Sequence, residues 1–287
     1  MESTEVKLDS KRSMQTWFSP VVIVLTILLG FFIYKFILGD PSHFEPCPPN
    51  VTDCDPTSNH PLPGDYFGIV YKGGVIIPLA IALLLMIIVF SIERLIFLSM
   101  SKGKGSVDVF VKKIQLMLNE NRIKEAIALC DVQRGSVANV TKAALEKYHE
   151  MSSEKTLDRE QKIVAIQKEI EEATTLELPM MEKNLVIIAT IVSIGTLVGL
   201  IGTVLGMIKA FSALATAGSP DAVALANGIS EALVNTALGI TTSTIATVAY
   251  NYFTSTIDGM TYSIDECGFS IVQTFASRHN TDGAPRA

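Results

Sequence analysis

Sequence motifs that mark the common enzyme classes are missing from this chain. It has four histidines, and none of them belongs to the His-Glu-x-x-His pattern that binds zinc in metalloproteases. No glycine-rich loop ends in the Lys-Ser or Lys-Thr pair that cradles a nucleotide phosphate, and no Ser/His/Asp set suits nucleophilic catalysis. We therefore predict a protein that is not an enzyme, with no catalytic residues, no cofactor and no metal site.

Charge is also scarce, because only 18% of the residues are charged whereas 48% are hydrophobic. One small basic cluster near the start, Lys7, Lys11 and Arg12, is too short for a nucleic-acid-binding arm, so we expect no nucleic-acid partner. An apolar composition of this kind is typical of a membrane protein. We predict an all-α, polytopic membrane protein with four transmembrane helices and a helical cytoplasmic domain.

Four apolar segments are long enough to cross a bilayer, which takes roughly 20 helical residues. We place these transmembrane helices at 21–38, 74–99, 185–215 and 223–252. Basic residues beside the second and third of them indicate a cytoplasmic domain between them, so both termini are expected in the cytoplasm. The remaining parts are then a cytoplasmic segment at 1–20, a periplasmic Pro/Cys loop at 39–73, the cytoplasmic domain at 100–184, a short periplasmic turn at 216–222, and a cytoplasmic helix and tail at 253–287.

The loop at 39–73 is rich in proline and in acidic residues, which predicts an irregular segment and not a folded domain. Cys47 and Cys54 lie seven positions apart in it, and a disulfide between them is expected if the loop is extracytoplasmic. Two free thiols are the alternative, and zinc is less favoured because no second ligand pair accompanies them. Cys130 and Cys267 are predicted to be unpaired and structural.

Helical periodicity runs through the cytoplasmic domain. It predicts two helices broken near 119–121, a third over 137–148, and a long charged helix from about Leu157 to near Pro179. At the end of the second span, we expect Arg94 to snorkel or to meet lipid headgroups. Apolar residues over 257–275 predict a further helix that returns beside this domain.

The last two spans are unusually rich in small and hydroxylated residues. Glycines in the third span recur at spacings of four, three and four, which puts them on one packing face: Gly195, Gly199, Gly202 and Gly206. Thr196 and Thr203 share the adjacent face, and one face of the fourth span carries Ala232, Thr236, Gly239, Ser243 and Thr247. Two interpretations stay open: a polar pore lining, or plain helix packing with hydroxyls bonded to carbonyls one turn earlier.

Ionisable residues are almost absent from these two spans, which contain only Lys209 and Glu231. Lys209 lies near the outer end and can snorkel. Glu231 is a carboxylate at membrane depth, so it is either functional or a structural contact, and both interpretations stay open. Since no chain of titratable groups spans the bilayer, protons that pass along this surface need a carrier from another polypeptide.

Two motifs in these spans resemble the signature of the ExbB/TolQ/MotA proton-channel family. One is the segment 197–207 followed by Phe211, and the other is 228–239 leading to Tyr250 and Asn251. The pair Glu93 and Arg94 also fits, and the likeness covers roughly 74–275. Within the family the chain looks most like the ExbB branch, which energises TonB-dependent transport.

This resemblance implies a homopentamer in the bacterial inner membrane, whose last two spans line a pore. The pore would enclose helices of an ExbD-like single-span partner with a membrane aspartate, and the proton-motive force would be passed to a TonB-like protein. By motif position, Thr203 and Thr236 would be pore-lining hydroxyls, and Glu231 the family's membrane glutamate. A TolQ-like or gliding/flagellar-type stator subunit is one alternative, and a membrane scaffold without proton conduction is another.

The chain departs from the family pattern in two places. The added span at 21–38 and its Cys loop are not part of the usual three-span arrangement, and they reverse the expected side of the N-terminus. The proline often seen before the first glycine motif is replaced by Gly195 and Thr196. Neither departure touches the pore motifs, but the added loop suggests an extra contact outside the membrane.

Overall fold

The computed structural model describes residues 17, 19–47, 55–216 and 222–279. In these ranges regular secondary structure is helical, and the only strand-like pairing is an isolated bridge between Phe44 and Pro61. The helices are α1 (Ser19–Leu38), α2 (Tyr66–Tyr71), α3 (Ile77–Ser101), α4 (Val107–Asn119), α5 (Ile123–Gln133), α6 (Ser136–Ser153), α7 (Arg159–Glu182), α8 (Leu185–Thr216) and α9 (Ala222–Arg278). The predicted all-α class is confirmed.

Four helical stretches are long and apolar enough to cross a membrane, as predicted: Ser19–Leu38, Gly74–Ser101, Arg159–Ala215 and Ala222–Arg278. The last is one uninterrupted helix of 57 residues. At a rise of about 1.5 Å per residue it is roughly 85 Å long, far more than a hydrocarbon core of about 30 Å. Residues 257–275 are helical, as predicted, but they are not a separate element, because α9 continues through residue 252 without a break.

The chain forms two compact units. Unit 1 comprises Met1–Ser91 and Val186–Tyr250, and unit 2 comprises Ile92–Leu185 and Asn251–Ala287. Unit 1 contains α1, α2, most of α3 and α8, and the first half of α9. Unit 2 contains α4 to α7 and the second half of α9.

In unit 1, α8 and α9 approach each other through glycines. A Cβ added to Gly239 would lie 2.7 Å from both the carbonyl oxygen of Gly195 and the Cα of Gly199. A Cβ on Gly206 would likewise lie 2.7 Å from the backbone nitrogen of Ala232. Since these neighbours are backbone atoms that no rotamer change can move, the two helices can pack this closely only because the side chains are missing.

The loop that precedes α3 is ordered in its described parts, 39–47 and 55–76, which we call the loop subdomain. Three aspartates cap its short helical turns, each accepting from a backbone N–H two residues later: Asp40 from Ser42 at 2.9 Å, Asp55 from Thr57 at 3.0 Å and Asp65 from Phe67 at 2.9 Å. Such local bonds replace the missing ladder of a sheet or long helix.

Longer-range contacts then close the loop subdomain. His43 Nδ1 lies 2.7 Å from Asp65 Oδ2, and this hydrogen bond holds the pKa of Asp65 below its ordinary value. The rings of Tyr34 and Tyr71 stack at 4.7 Å, and Phe44 packs edge-on against Tyr71 at 5.4 Å. The described residues are thus irregular, as predicted, but specific hydrogen bonds and aromatic contacts hold them together.

The cysteines fall into two groups. Cys47 is disulfide-bonded, whereas its predicted partner Cys54 lies outside the described residues, so that pairing stays a prediction. Cys130 and Cys267 are free and buried, in agreement with the structural role expected of them. Burial raises the pKa of the Cys130 thiol to about 12, which keeps it protonated and unreactive. Most of the predicted turn at 216–222 also lies outside the described residues.

Unit 2 is a helical domain whose core contains buried residues from α4, α6, α7 and α9: Ile114, Leu145, Ile166 and Phe275. Asn121, with φ of 62°, makes the break between α4 and α5. Arg278 at the end of α9 donates to the carbonyl oxygens of Leu118 and Asn119, at 2.7 and 2.8 Å, and so caps the end of α4.

Arg94 is 1% exposed, so the prediction that it snorkels to the headgroups is wrong. It donates to both carboxylate oxygens of Glu93, donates to the carbonyl oxygen of Met181 at 3.3 Å, and lies 4.7 Å over the ring of Phe97. The Met181 carbonyl needs a donor because α7 ends at Glu182 and its last carbonyls have no helical partner. A buried guanidinium therefore completes the break between α7 and α8.

Arg94→Met should lower the stability of the protein much more than Arg122→Met does. The first change removes a buried charge and leaves the Met181 carbonyl without its donor, at a cost of about 3 kcal/mol. Arg122 is the matched control, because its side chain is 47% exposed and its two carboxylate partners are also on the surface. Exposed pairs contribute about 0–1 kcal/mol. Thermal unfolding in detergent tests this, and equal shifts in the midpoint would contradict it.

Gly239→Ala should destabilise the protein by about 1–3 kcal/mol, because the new methyl group meets backbone at 2.7 Å. Gly259→Ala on the same helix is the control, since a Cβ there meets no atom within 4 Å. It should stabilise the protein by up to about 1 kcal/mol through helix propensity. The same thermal measurement serves, and a neutral or stabilising Gly239→Ala would show that α8 and α9 are not closely packed at this point.

Candidate functional site

The central feature of unit 1 is a pair of hydroxyls between α8 and α9. Thr203 Oγ1 and Thr236 Oγ1 are hydrogen-bonded to each other, where glycines bring α8 and α9 close together. Each oxygen also lies 3.1 Å from a carbonyl one turn earlier on its own helix, Gly199 for Thr203 and Ala232 for Thr236. A hydroxyl has one proton, so in each arrangement one threonine donates across the interface while the other donates to its own helix.

A second hydroxyl pair lies on the same interface. Thr196 Oγ1 donates to Ser243 Oγ at 2.9 Å. Both members are seven residues from the first pair, which corresponds to about 10 Å along the helices. Thr247, the fifth predicted lining residue, is not brought into either pair: it is exposed and donates to the carbonyl of Ser243 at 2.8 Å.

The two interpretations of the hydroxyl faces are therefore not exclusive. Thr203, Thr236 and Thr247 bond back to carbonyls, as helix packing predicts. Four of the five predicted lining hydroxyls also pair across the interface. Thr203 and Thr236 remain half-exposed on the surface of unit 1. From Thr203 a shallow, mostly apolar groove runs along α8, lined by Val204, Met207, Ile208, Phe211, Ser212 and Ala215.

Lys209 and Glu231 form an ion pair, with Nζ 2.6 Å from Oε1. Lys209 is therefore not a free snorkelling cation, although its side chain is 56% exposed. Glu231 is 8% exposed, and the pairing offsets part of the cost of burying its carboxylate. The pair lies against Gly74, where φ is +78° and an added Cβ would be 2.9 Å from Glu231 Cδ. Glu231 thus faces this turn and is not bonded to the hydroxyl pairs.

Asn235 is a buried polar residue that the sequence interpretation did not single out. It is 1% exposed, and its Nδ2 donates to the carbonyl oxygen of Gly73 at 2.8 Å. Gly202 makes room for it, because a Cβ there would lie 2.5 Å from Asn235 Cγ. The available signal was an amide in the middle of the predicted fourth span, where a polar side chain needs a partner.

This arrangement can hold and exchange hydrogen bonds, but it holds no proton relay of its own. In the described parts of α8 and of residues 222–250, the charged side chains are Lys209 and Glu231, which are paired with each other. No group of three or more His, Cys, Asp or Glu residues suited to a metal occurs among the described residues. The hydroxyl pairs therefore have no titrating hydrogen-bond partner among the described residues of these two helices.

Comparison with known proteins gives a consistent match. Residues 133–266, which contain both hydroxyl pairs and the Lys209–Glu231 pair, match the model of the MotA/TolQ/ExbB proton channel family. The TolQ protein of the Tol-Pal system of Pseudomonas aeruginosa is 27% identical over 158 residues, 55% of this chain and 68% of the relative.

Two further relatives are named for biopolymer transport. The putative biopolymer transport protein ExbB-like 3 of Synechocystis is 35% identical over 88 residues, 30% of this chain and 42% of the relative. The biopolymer transport protein ExbB of Pseudomonas putida is 33% identical over 101 residues, 35% of this chain and 31% of the relative. The chain thus covers less than half the length of these two relatives, and the loop subdomain lies outside the family match.

The Lys209–Glu231 pair should show up as a non-additive effect on stability. Lys209→Met alone leaves a nearly buried carboxylate without its cation and should be the most harmful change. Glu231→Gln should cost less, and the double variant should be more stable than the sum of the two single effects by about 1 kcal/mol or more. Thermal unfolding of the three variants and the parent measures this coupling. Additivity within about 0.4 kcal/mol would mean that the two side chains do not interact.

Proposed function

We propose that this chain is the channel subunit of a complex that converts the proton-motive force into work, because residues 133–266 match the model of the MotA/TolQ/ExbB proton channel family. In the proposed assembly, five copies surround a pore in the bacterial inner membrane, lined by α8 and the first half of α9. Both termini lie in the cytoplasm and the loop subdomain lies in the periplasm. The work that we propose for this complex is transport through an outer membrane, energised by a TonB-like protein.

The observation that carries the proposal is the hydroxyl pair Thr203–Thr236, on an interface without a titrating group of its own. A proton pathway needs a group that binds and releases protons. Here the ExbD-like single-span partner supplies that group as a membrane aspartate. The apolar groove beside Thr203 gives a partner helix a surface to pack on.

The threonines suit this role because a hydroxyl both donates and accepts. It can donate to an ionised aspartate and accept from a protonated one, so the same lining stabilises both states of the carrier. Once a partner helix covers the groove and excludes water, each such bond has more effect on the carrier than it would in solution. In this proposal Glu231 does not act together with the threonine pair, because its partner is Lys209.

The output of the complex has a second candidate. The relatives include both a Tol-Pal protein and biopolymer transport proteins, so a TolQ-like or gliding/flagellar-type stator subunit fits the same lining. The partner protein separates these outputs. Copurification with an ExbD-like and a TonB-like protein supports outer-membrane transport, whereas copurification with Tol or motor components supports the alternative.

Replacing either threonine with valine should reduce proton flux about fivefold or more, because one hydrogen bond of about 1 kcal/mol to the carrier is lost. The measurement uses proteoliposomes that hold this chain and the single-span partner that copurifies with it, with a pH-sensitive dye inside. Thr203→Val and Thr236→Val are compared with Thr241→Val. Thr241 is the control because it is exposed on the same helix as Thr236 and donates to the carbonyl of Ala237.

Each outcome of this experiment decides something. Flux lost in Thr203→Val and Thr236→Val but kept in Thr241→Val supports the pore lining. Equal flux in all variants overturns it. A wild-type complex that assembles with its partner but carries no protons would favour the third interpretation, a membrane scaffold.

A further inference from the structure

The carboxamide of Asn235 has one orientation only. Its Nδ2 donates to the Gly73 carbonyl at 2.8 Å, and the flipped form would set an oxygen against that acceptor. Oδ1 must therefore point away from Gly73. It is buried and accepts no hydrogen bond from the part of the chain that the structure describes. A buried acceptor without a donor costs about 1–3 kcal/mol, and such groups in proteins are normally satisfied, often by an ordered water.

The surroundings of Asn235 are polar on one side. Glu231 lies four residues earlier on α9 and so shares its face. The two side chains meet the same two-residue turn, because Asn235 bonds to Gly73 and Glu231 lies against Gly74. Lys209 Nζ bonds to Glu231 and would lie 3.4 Å from a Cβ on Gly74. Side chains that carry an amide, a carboxylate and an ammonium group thus meet at one turn.

We propose that Asn235, Glu231 and Lys209 form a binding site for one water molecule. Its two O–H groups are donated to Asn235 Oδ1 and to the Glu231 carboxylate, and its oxygen accepts from Lys209. That gives the water about three partners, the usual number for a buried water. The carboxylate has room for this bond, because it can accept about four and Lys209 supplies one at Oε1.

Other small ligands fit the same atoms less well. A metal cation would be repelled by the Lys209 ammonium, and an anion would meet the Glu231 carboxylate and the Asn235 carbonyl oxygen. The missing partner of Asn235 is a donor, which water supplies without any net charge. The charge balance of the Lys209–Glu231 pair therefore selects a neutral, hydrogen-bonding ligand.

The existence of the water site does not depend on the proposed function. Only its role in proton movement rests on that function. Bound there, the water gives Glu231 an exchangeable hydrogen-bond partner on the side of the loop subdomain, apart from the pair Thr203–Thr236. Unit 1 would then contain two polar positions: hydroxyls that face a partner's carrier, and a hydrated carboxylate beneath the Gly73–Gly74 turn.

The test is a map of the purified full chain in lipid nanodiscs, by electron cryo-microscopy, at a resolution that shows ordered waters. We expect a peak about 2.7–3.2 Å from both Asn235 Oδ1 and a Glu231 oxygen. Asn235→Leu, which keeps the size of the side chain, should remove the peak, and Thr241→Val should keep it. The wild-type map decides the question even if Asn235→Leu fails to fold.

Three results would overturn the site. One is a map that shows other buried waters but no peak beside Asn235. Another is a peak held by four or more oxygens at about 2.3–2.6 Å, which is the geometry of a cation such as calcium and not of water. The third is a peak that persists in Asn235→Leu. None of these measurements needs the partner protein, so a failure of the proton-flux experiment would leave the water site standing, and the reverse also holds.

Discussion

The close approach of two helix backbones is the constraint on which the functional part of this protein depends. Gly239 fits against Gly195 and Gly199 with no room for a methyl group. At that distance, short side chains can span the interface, so threonine and serine hydroxyls on α8 can bond directly to those on α9. With ordinary leucine-sized packing the helices would lie 8–10 Å apart, and the same hydroxyls would bond only within their own helices.

Much of this arrangement could be predicted from the sequence, because it follows from periodicity. The spacing of Gly195, Gly199, Gly202 and Gly206 indicates a packing face, and the facing threonines follow from the same rule. The partners of Arg94, Lys209 and Asn235 could not be predicted. Sequence gives the position of a residue on its own helix, whereas each of these side chains bonds to a residue distant in the chain: Met181, Glu231 and Gly73.

The loop subdomain illustrates a different limit. The density of proline and acidic residues indicates an irregular backbone, and the described residues indeed lack long elements. Specific contacts nevertheless hold them together. Aspartate favours turns in which its side chain accepts from the backbone N–H two residues later, so the aspartates of this loop could have predicted the capped turns. The stack of Tyr34 on Tyr71 could not, since it joins residues on α1 and α2. In this loop the sequence could have predicted the short-range hydrogen bonds, but it could not have predicted the aromatic packing.

The four glycines of α8 differ in what a suppressor mutation could repair. At Gly195, Gly199 and Gly206 the atoms around an added side chain include the backbone of α9, which no second substitution can remove. At Gly202 the three nearest atoms all belong to the side chain of Asn235. A genetic screen that starts from a larger residue at Gly202 therefore has an available second-site solution, Asn235→Gly, which removes the Cβ together with the other two atoms. The packing of α8 on α9 can change by paired substitution at this contact, at the expense of the polar group buried there.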